Sequence, residues 1–187
     1  MSPYDFVHLS ILAVGDEIKG RTKLQKTVYF LGILSGMLPK LGYRPHFYGP
    51  YSDAVAASVN RLKSLGFLTE NTVGTGAVGS TGFEIARHDF KLTEEGKRIA
   101  EKKADRYPDD WKRLESVASR FLAAGDVDYM KMSVAAKTFF ILSNSGKPAT
   151  ATELRYSASR LGWNPTPQEM EESIEFLKKM GLVKTQV

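Results

Sequence analysis

Between Pro3 and Leu92 the hydrophobic period changes once. Three stretches repeat apolar residues at helical spacing. They are Tyr4–Val14, with Phe6, Leu9 and Ala13; a stretch from Thr22 to about Ser35, with Leu24, Val28 and Leu31; and a third with Val55, Val59 and Leu62. From Phe67 the pattern is that of strands, Phe67–Val73 and Phe83–Leu92, separated by the glycine-rich run Gly74–Gly82. A phase change before Phe90 and Leu92 predicts a bulge near His88–Asp89. Three helices followed by a hairpin tipped with glycine is the order of a winged helix-turn-helix.

The punctuation supports these boundaries. Pro3 suits a first helical turn. Thr22 and Ser52 are expected to cap their helices through the side-chain hydroxyl, and Gly66 to end the third. The stretch from Gly36 to Pro50 is broken by glycine and proline and reads as loop, with one extended piece near Arg44–Tyr48. Thr93 opens a further helix over Glu94–Ala104, and Trp111–Ala124 is another with an apolar face.

The second half repeats the first. Ile141–Gly162 aligns with Ile11–Gly32 without a gap and with 6 identities in 22 positions, among them Thr22/Thr152 and Leu24/Leu154. Ser58–Thr69 aligns with Ser173–Lys184 at a different offset. The expected fold is therefore mainly α with small β hairpins (α+β), as two winged helix-turn-helix-type modules joined by helices. An N-terminal winged-helix domain would occupy residues 1–105, a helical connector 106–128 and a winged-helix-like module 129–187. The last strand, Leu182–Gln186, lacks a return strand, so its edge is open to another subunit.

The net charge of +5 is unevenly spread. Ile18–Ser52 carries six cations, Lys19, Arg21, Lys23, Lys26, Lys40 and Arg44, and no carboxylate. Such a segment favours anionic partners, double-stranded DNA first. Arg21, Thr22, Lys23 and Lys26, at a helix start, and Arg44 are expected to grip phosphates. The same cluster is also an ordinary solvated helix end. Tyr51 and Ser52 lie at the end of an aromatic, basic loop that either stacks on bases or folds onto the core. Asn60, Arg61 and Lys63 lie on or near the outer face of the third helix, where amide and guanidinium groups read adenine and guanine edges. Arg87 and His88 stand at the root of the wing. In the second half the equivalent helix offers Glu169, Glu171, Glu172 and Glu175, which phosphates repel. That module is expected to dimerise or to bind a protein partner.

Other classes find little support. With no cysteine, disulfides and thiolate chemistry are excluded. The three histidines, His8, His46 and His88, stand at no zinc spacing and form no evident Ser-His-acid set. Gly74–Gly79 matches the dinucleotide fingerprint, but a strand rather than a helix is expected to follow it, so a wing tip explains the glycines better. No enzyme activity, cofactor or metal is expected. No apolar run approaches a membrane span and no signal segment precedes Asp5, so a cytoplasmic location is expected and no membrane partner.

Gly20-Arg-Thr-Lys-Leu-Gln-Lys-Thr-Val-Tyr-Phe-Leu, followed by Tyr48-Gly-Pro-Tyr-Ser52, resembles a group of archaeal and bacterial winged-helix proteins. It is more distantly similar to the Panacea, or SocA-like, antitoxin-associated domain, which has a comparable Lys-Leu-Gln-Lys helix and Gly-Pro turn. The resemblance covers roughly residues 4–95. The first group implies a winged-helix fold and a regulatory role. The second implies binding a toxin, or bridging it to a protease. The leading expectation is a DNA-binding transcriptional regulator acting as a homodimer, with a dimerising or protein-binding second module; the alternative is an antitoxin-like protein-interaction module without sequence-specific DNA binding.

Overall fold

The computed structural model describes residues 1–78, 84–125 and 128–184. In chain order the elements are α1 (Pro3–Ala13), β1 (Glu17–Lys19), α2 (Arg21–Ser35), the single turn α3 (Leu38–Leu41), α4 (Asp53–Ser64), β2 (Leu68–Val78), β3 (Glu84–Leu92), α5 (Glu94–Arg106), α6 (Pro108–Ala123), α7 (Tyr129–Ser145), α8 (Ala151–Arg160) and α9 (Pro167–Lys179). The chain is mainly helical with one small antiparallel sheet, ordered β1-β3-β2. Its class is α+β.

Strand β1 has no counterpart in the periodicity argument, because three residues are too few to show a period. It exists by tertiary pairing. Glu17, Ile18 and Lys19 lie opposite Lys91, Phe90 and Asp89, and Ile18 is buried. The Gly20 amide then donates to the His88 carbonyl at 3.0 Å. Gly20 has φ 103°, a value that suits glycine, and the chain passes directly from strand to helix there. This corrects the expected cap. Gly20 is the N-cap of α2, no side chain caps it, and Thr22 is already the second helical residue. Ser52 does cap α4, accepting from the Val55 amide at 3.0 Å. Thr93, Thr150 and Thr166 cap α5, α8 and α9 in the same way.

The bulge is elsewhere than expected. Register is unbroken from Leu68↔Leu92 to Gly74↔Ala86, through His88 and Asp89, and shifts between Gly74 and Val78. Strand β2 thus runs to Val78, into the glycine run read as a tip. The rest of that tip, 79–82, lies outside the described residues, as does Phe83, the expected start of the returning strand. Phe90 and Leu92 are buried.

Helix α2 is the axis of the core. Every residue from Leu24 to Gly32 is buried, so this helix has no solvated side over its middle turns. It packs against α1, α6 and α7. Phe30 meets the Phe176 ring edge-on at 5.7 Å, and Phe121 closes the trio. One hydrophobic cluster runs from Phe6 through Leu114 and Phe121 to Phe176 and Met180. Helix α6, in the segment read as a connector, contributes Leu114, Val117, Ala118 and Phe121 to that cluster, while Leu122 stays exposed. At about 1.5–3 kcal/mol per fully buried large apolar side chain, the α2 contacts are a major part of what folds the chain.

Helices α7, α8 and α9 follow one another as α1, α2 and α4 do. α7 packs on α9 as α1 packs on α4, and Thr152 and Thr22 are both second helical residues. The expected closing strand is not formed over residues 182–184, and the remainder of it lies outside the described residues. Gly181, at φ 70°, turns the chain back, the Leu182 amide bonds the Leu177 carbonyl at 2.9 Å, and Leu182 and Val183 pack onto the core. A hydrophobic helix C-terminal turn has taken the place of a strand.

The α9 carboxylates are largely engaged within the chain. Glu169 closes the Thr166 capping box, Glu172 pairs with Lys131 at 2.8 Å and Glu175 with Lys178 at 2.5 Å. Glu171 remains exposed. No helix among the described residues is long and apolar enough to cross a membrane.

Candidate functional site

The two sequence motifs of the first half form one interlocked unit. The first supplies α2, and the second is the loop that runs into α4. Gln25 uses its whole amide on Ser52: its Nε2 donates to the Ser52 carbonyl at 3.0 Å and its Oε1 accepts from the Ser52 amide at 3.1 Å. One residue on, the Lys26 Nζ donates to the Pro50 carbonyl at 2.7 Å. Tyr43 returns from the loop to donate to the Gln25 carbonyl at 2.7 Å, and the Ser52 hydroxyl donates to the Leu41 carbonyl. A backbone bridge joins Arg44 and Tyr51.

The second half holds the other side of this loop. Ser133 of α7 donates to the Tyr48 carbonyl at 2.6 Å. Gly49 has φ 89°, and a Cβ there would stand 3.0 Å from Lys137 Cγ and 3.4 Å from both Lys26 Cε and the Ser133 carbonyl oxygen. Glycine is needed both for the conformation and for the approach. The loop is therefore a wedge between α2 and α7.

Beside the wedge lies a cavity of about 360 Å³. One stripe of α2 forms a wall with Arg21, Thr22, Gln25 and Lys26, and α4 contributes Val59 and Asn60. His46, Tyr48 and Tyr51 bring aromatic rings from the loop, and Phe90 and Glu70 close it from the sheet. Glu70 is held by two cations: Arg21 bonds it through Nε at 3.1 Å and Nη2 at 2.6 Å, and Lys63 reaches its other oxygen; the His88 ring Nδ1 lies 3.0 Å away. Burial pushes this carboxyl up, but the bonds from Lys63 and Arg21 and their charges outweigh it and hold the pKa down at about 2.

Lys26 is only 1% exposed. Burial, then the charge of Lys137, lowers its ammonium to about 7. No carboxylate among the described residues pairs with it.

The cations nominated from sequence are dispersed rather than massed. Arg21 lies at the cavity mouth, bound to Glu70. Lys23 faces a separate groove with Lys19, Thr27 and Phe121. Lys26 is buried under the Pro50 carbonyl, which corrects its expected place on a solvated helix start. The physical reason is the burial of α2 on all sides: successive residues are rotated about 100°, so Arg21, Lys23 and Lys26 meet different neighbours. Arg44 pairs with Asp53 at 2.7 Å. Arg87 makes a bidentate pair with Asp89 at 2.7 and 2.8 Å. Arg61 lies over the Tyr4 ring at 4.8 Å, on the α1 side of α4. Lys63 turns to Glu70. Thr22, Tyr51 and Asn60 do meet at the cavity, and Ser52 is buried beneath it.

Sequence reasoning missed Gln25, Gly49, Pro50 and Glu70. The first three stand inside the quoted motifs, so their joint occurrence was the available signal. Glu70, a lone acid on a strand, offered none.

No protein-family model matches the chain. The chain is similar to the uncharacterized protein YwgA of Bacillus subtilis (strain 168), with 30% identity over 112 residues, 60% of this chain and 63% of that protein. The match thus spans somewhat under two thirds of that relative's length.

Proposed function

We propose that the chain is a protein-interaction module of winged-helix type that engages its partner at the wedge loop and the adjoining cavity. The observation that carries this reading is how the loop and its surrounding charges are used. Phe47 and Tyr48 stand 71% and 51% exposed, with rings edge-to-face at 5.0 Å, while Arg21, Arg44, Lys63 and Arg87 are held in ion pairs and Lys26 is buried. Exposed aromatics beside a cavity are the usual anchors of protein interfaces, whereas a phosphate-gripping face needs cations to spare. The resemblance to the antitoxin-associated domain points to the same class of function. The test is affinity capture from extracts of the source organism. Wild type and the Arg21→Ala/Lys23→Ala variant should retain one stoichiometric protein, and Phe47→Ser/Tyr48→Ser should lose it. Loss with the cation variant but not with the aromatic one overturns the reading.

A second reading, a DNA-binding transcriptional regulator, is favoured by the element order. The order helix, strand, helix, single turn α3, helix and hairpin, with β1 beside β3, is compatible with a winged helix-turn-helix, in which α4, with Asn60 and Arg61 exposed, would be the reading helix. The α7-α8-α9 set, aligned with α1, α2 and α4, is the candidate second module of either reading, as a dimer contact or as a partner surface. Duplex binding whose affinity falls with salt at a log–log slope near −4.5, about five phosphates, supports the DNA reading. Absence of any shift at low salt refutes it.

A further inference from the structure

We infer that the cavity bounded by α2, α4, the wedge loop and the sheet is a binding site for a small planar monocarboxylate, whose anionic group pairs with Lys26 and Arg21 and whose flat body rests among Tyr48, Tyr51 and His46. The inference does not depend on either proposed function.

The observation that drives it is a buried cation lacking a counter-ion. Lys26 carries three N–H donors, and the Pro50 carbonyl takes one of them. Its other charged neighbour is Lys137, a like charge from α7. Buried ammonium groups are normally paired with a carboxylate, since an isolated buried charge is strongly disfavoured. The partly buried Lys103 obeys that rule, meeting Asp5 at 2.9 Å. Lys26, more deeply buried, is left to a carbonyl, and it lies on the wall of a cavity large enough for a ligand. A carboxylate entering there would supply the missing partner.

The remaining lining sets the ligand's class. The cavity wall holds two cations, Arg21 and Lys26, against one anion, Glu70, which Lys63 also neutralises, so the site is net positive. A carboxylate is the counter-ion that Lys26 lacks. His46 and Tyr51 form one aromatic pair, centroids 5.1 Å apart, Tyr48 stands at the rim, and Phe90 forms a buried apolar floor. Such walls accept a flat ring. Thr22 and Asn60 offer a hydroxyl and an amide for polar substituents.

The experiment uses two probes of equal shape, benzoate and its neutral amide benzamide, titrated into the full chain and followed by amide NMR. Benzoate should shift Gln25, Lys26, Tyr48 and Tyr51 with a dissociation constant of order 1 mM and bind at least about tenfold tighter than benzamide. In Lys26→Met the preference should fall to about twofold or less. Should that variant not fold, Tyr48→Ala, altered at a half-exposed side chain, should weaken both probes while keeping the benzoate preference, and Arg21→Gln should reduce that preference. Equal binding of the two probes, no cavity shift up to about 20 mM, or an undiminished preference in Lys26→Met or, in its place, Arg21→Gln overturns the inference.

Discussion

Replacing Gln25 by leucine tests whether the interlock between the two motifs holds the first half together. The substitution nearly conserves volume and raises helix propensity slightly, so its cost comes from what the amide leaves behind. The buried Ser52 N–H loses its partner at 3.1 Å, while the Ser52 carbonyl loses the amide at 3.0 Å but keeps the Ala56 N–H at 3.1 Å. One unpaired buried polar group costs about 1–3 kcal/mol, less a few tenths recovered from helix propensity. For a chain of this size each kcal/mol lowers Tm by about 2–4 °C, and a loss near 2 kcal/mol lowers it by about 4–8 °C. The assay is urea and thermal unfolding followed by far-UV circular dichroism, with Arg44→Ala as control. That exposed ion pair with Asp53 should cost at most about 1 kcal/mol. A Gln25→Leu protein within about 1 kcal/mol of wild type, or no worse than Arg44→Ala, would show that the amide does not secure the loop.

Gly96→Ala should cost about 3 kcal/mol or more, or prevent folding. Its Cβ would stand 2.0 Å from the Phe67 carbonyl oxygen, a backbone atom that cannot move aside cheaply, and the urea midpoint reports the loss. His8 is fully buried and stacked on Phe67, and burial followed by the Lys103 charge lowers its pKa to about 4. The unfolded chain then binds more protons than the native one between that value and about 6.5, so stability rises with pH across this window and is lost as pH falls through it, by about 3 kcal/mol in all. His8→Phe should flatten that slope in unfolding measured from pH 4 to 7. Glu70→Gln removes the negative charge that pairs with Arg21 and Lys63. If duplex DNA binds at this face, its log–log salt slope should steepen by about two phosphates, and an unchanged slope in a gel shift argues that these cations do not meet DNA. Phe47→Ser should leave Tm within about 2 °C of wild type, since the side chain is mostly exposed; a larger fall would mean that the loop tip is part of the core.

The arrangement ties the two halves together through a loop rather than a linker. Tyr48 and Gly49 touch α7, Pro50 and Ser52 touch α2, and Phe30 of α2 meets Phe176 of α9. The loop that borders the cavity is therefore also part of the contact between α2 and α7. That contact is also where the otherwise isolated charge of Lys26 sits.

Local chemistry alone determined much of this protein. The helical stripes at Leu24, Val28 and Leu31 and at Val55, Val59 and Leu62, the caps at Ser52 and Thr93, the stop at Gly66 and the hairpin around the glycine run could all be read from residues within a few positions of one another, because spacing, capping and turn conformation are short-range properties. The three-residue strand β1 was decided only by pairing with β3. The use of Gly20 in place of Thr22 as a cap followed from that pairing. The burial of Lys26 depended on α7 and the wedge loop covering a helix face that seemed solvated. Positive charge counted along the chain did not predict positive charge on the surface, because Glu70, Asp53 and Asp89 reach the cations through folding: one-dimensional spacing sets which residues share an element, while three-dimensional packing sets which charges remain unneutralised.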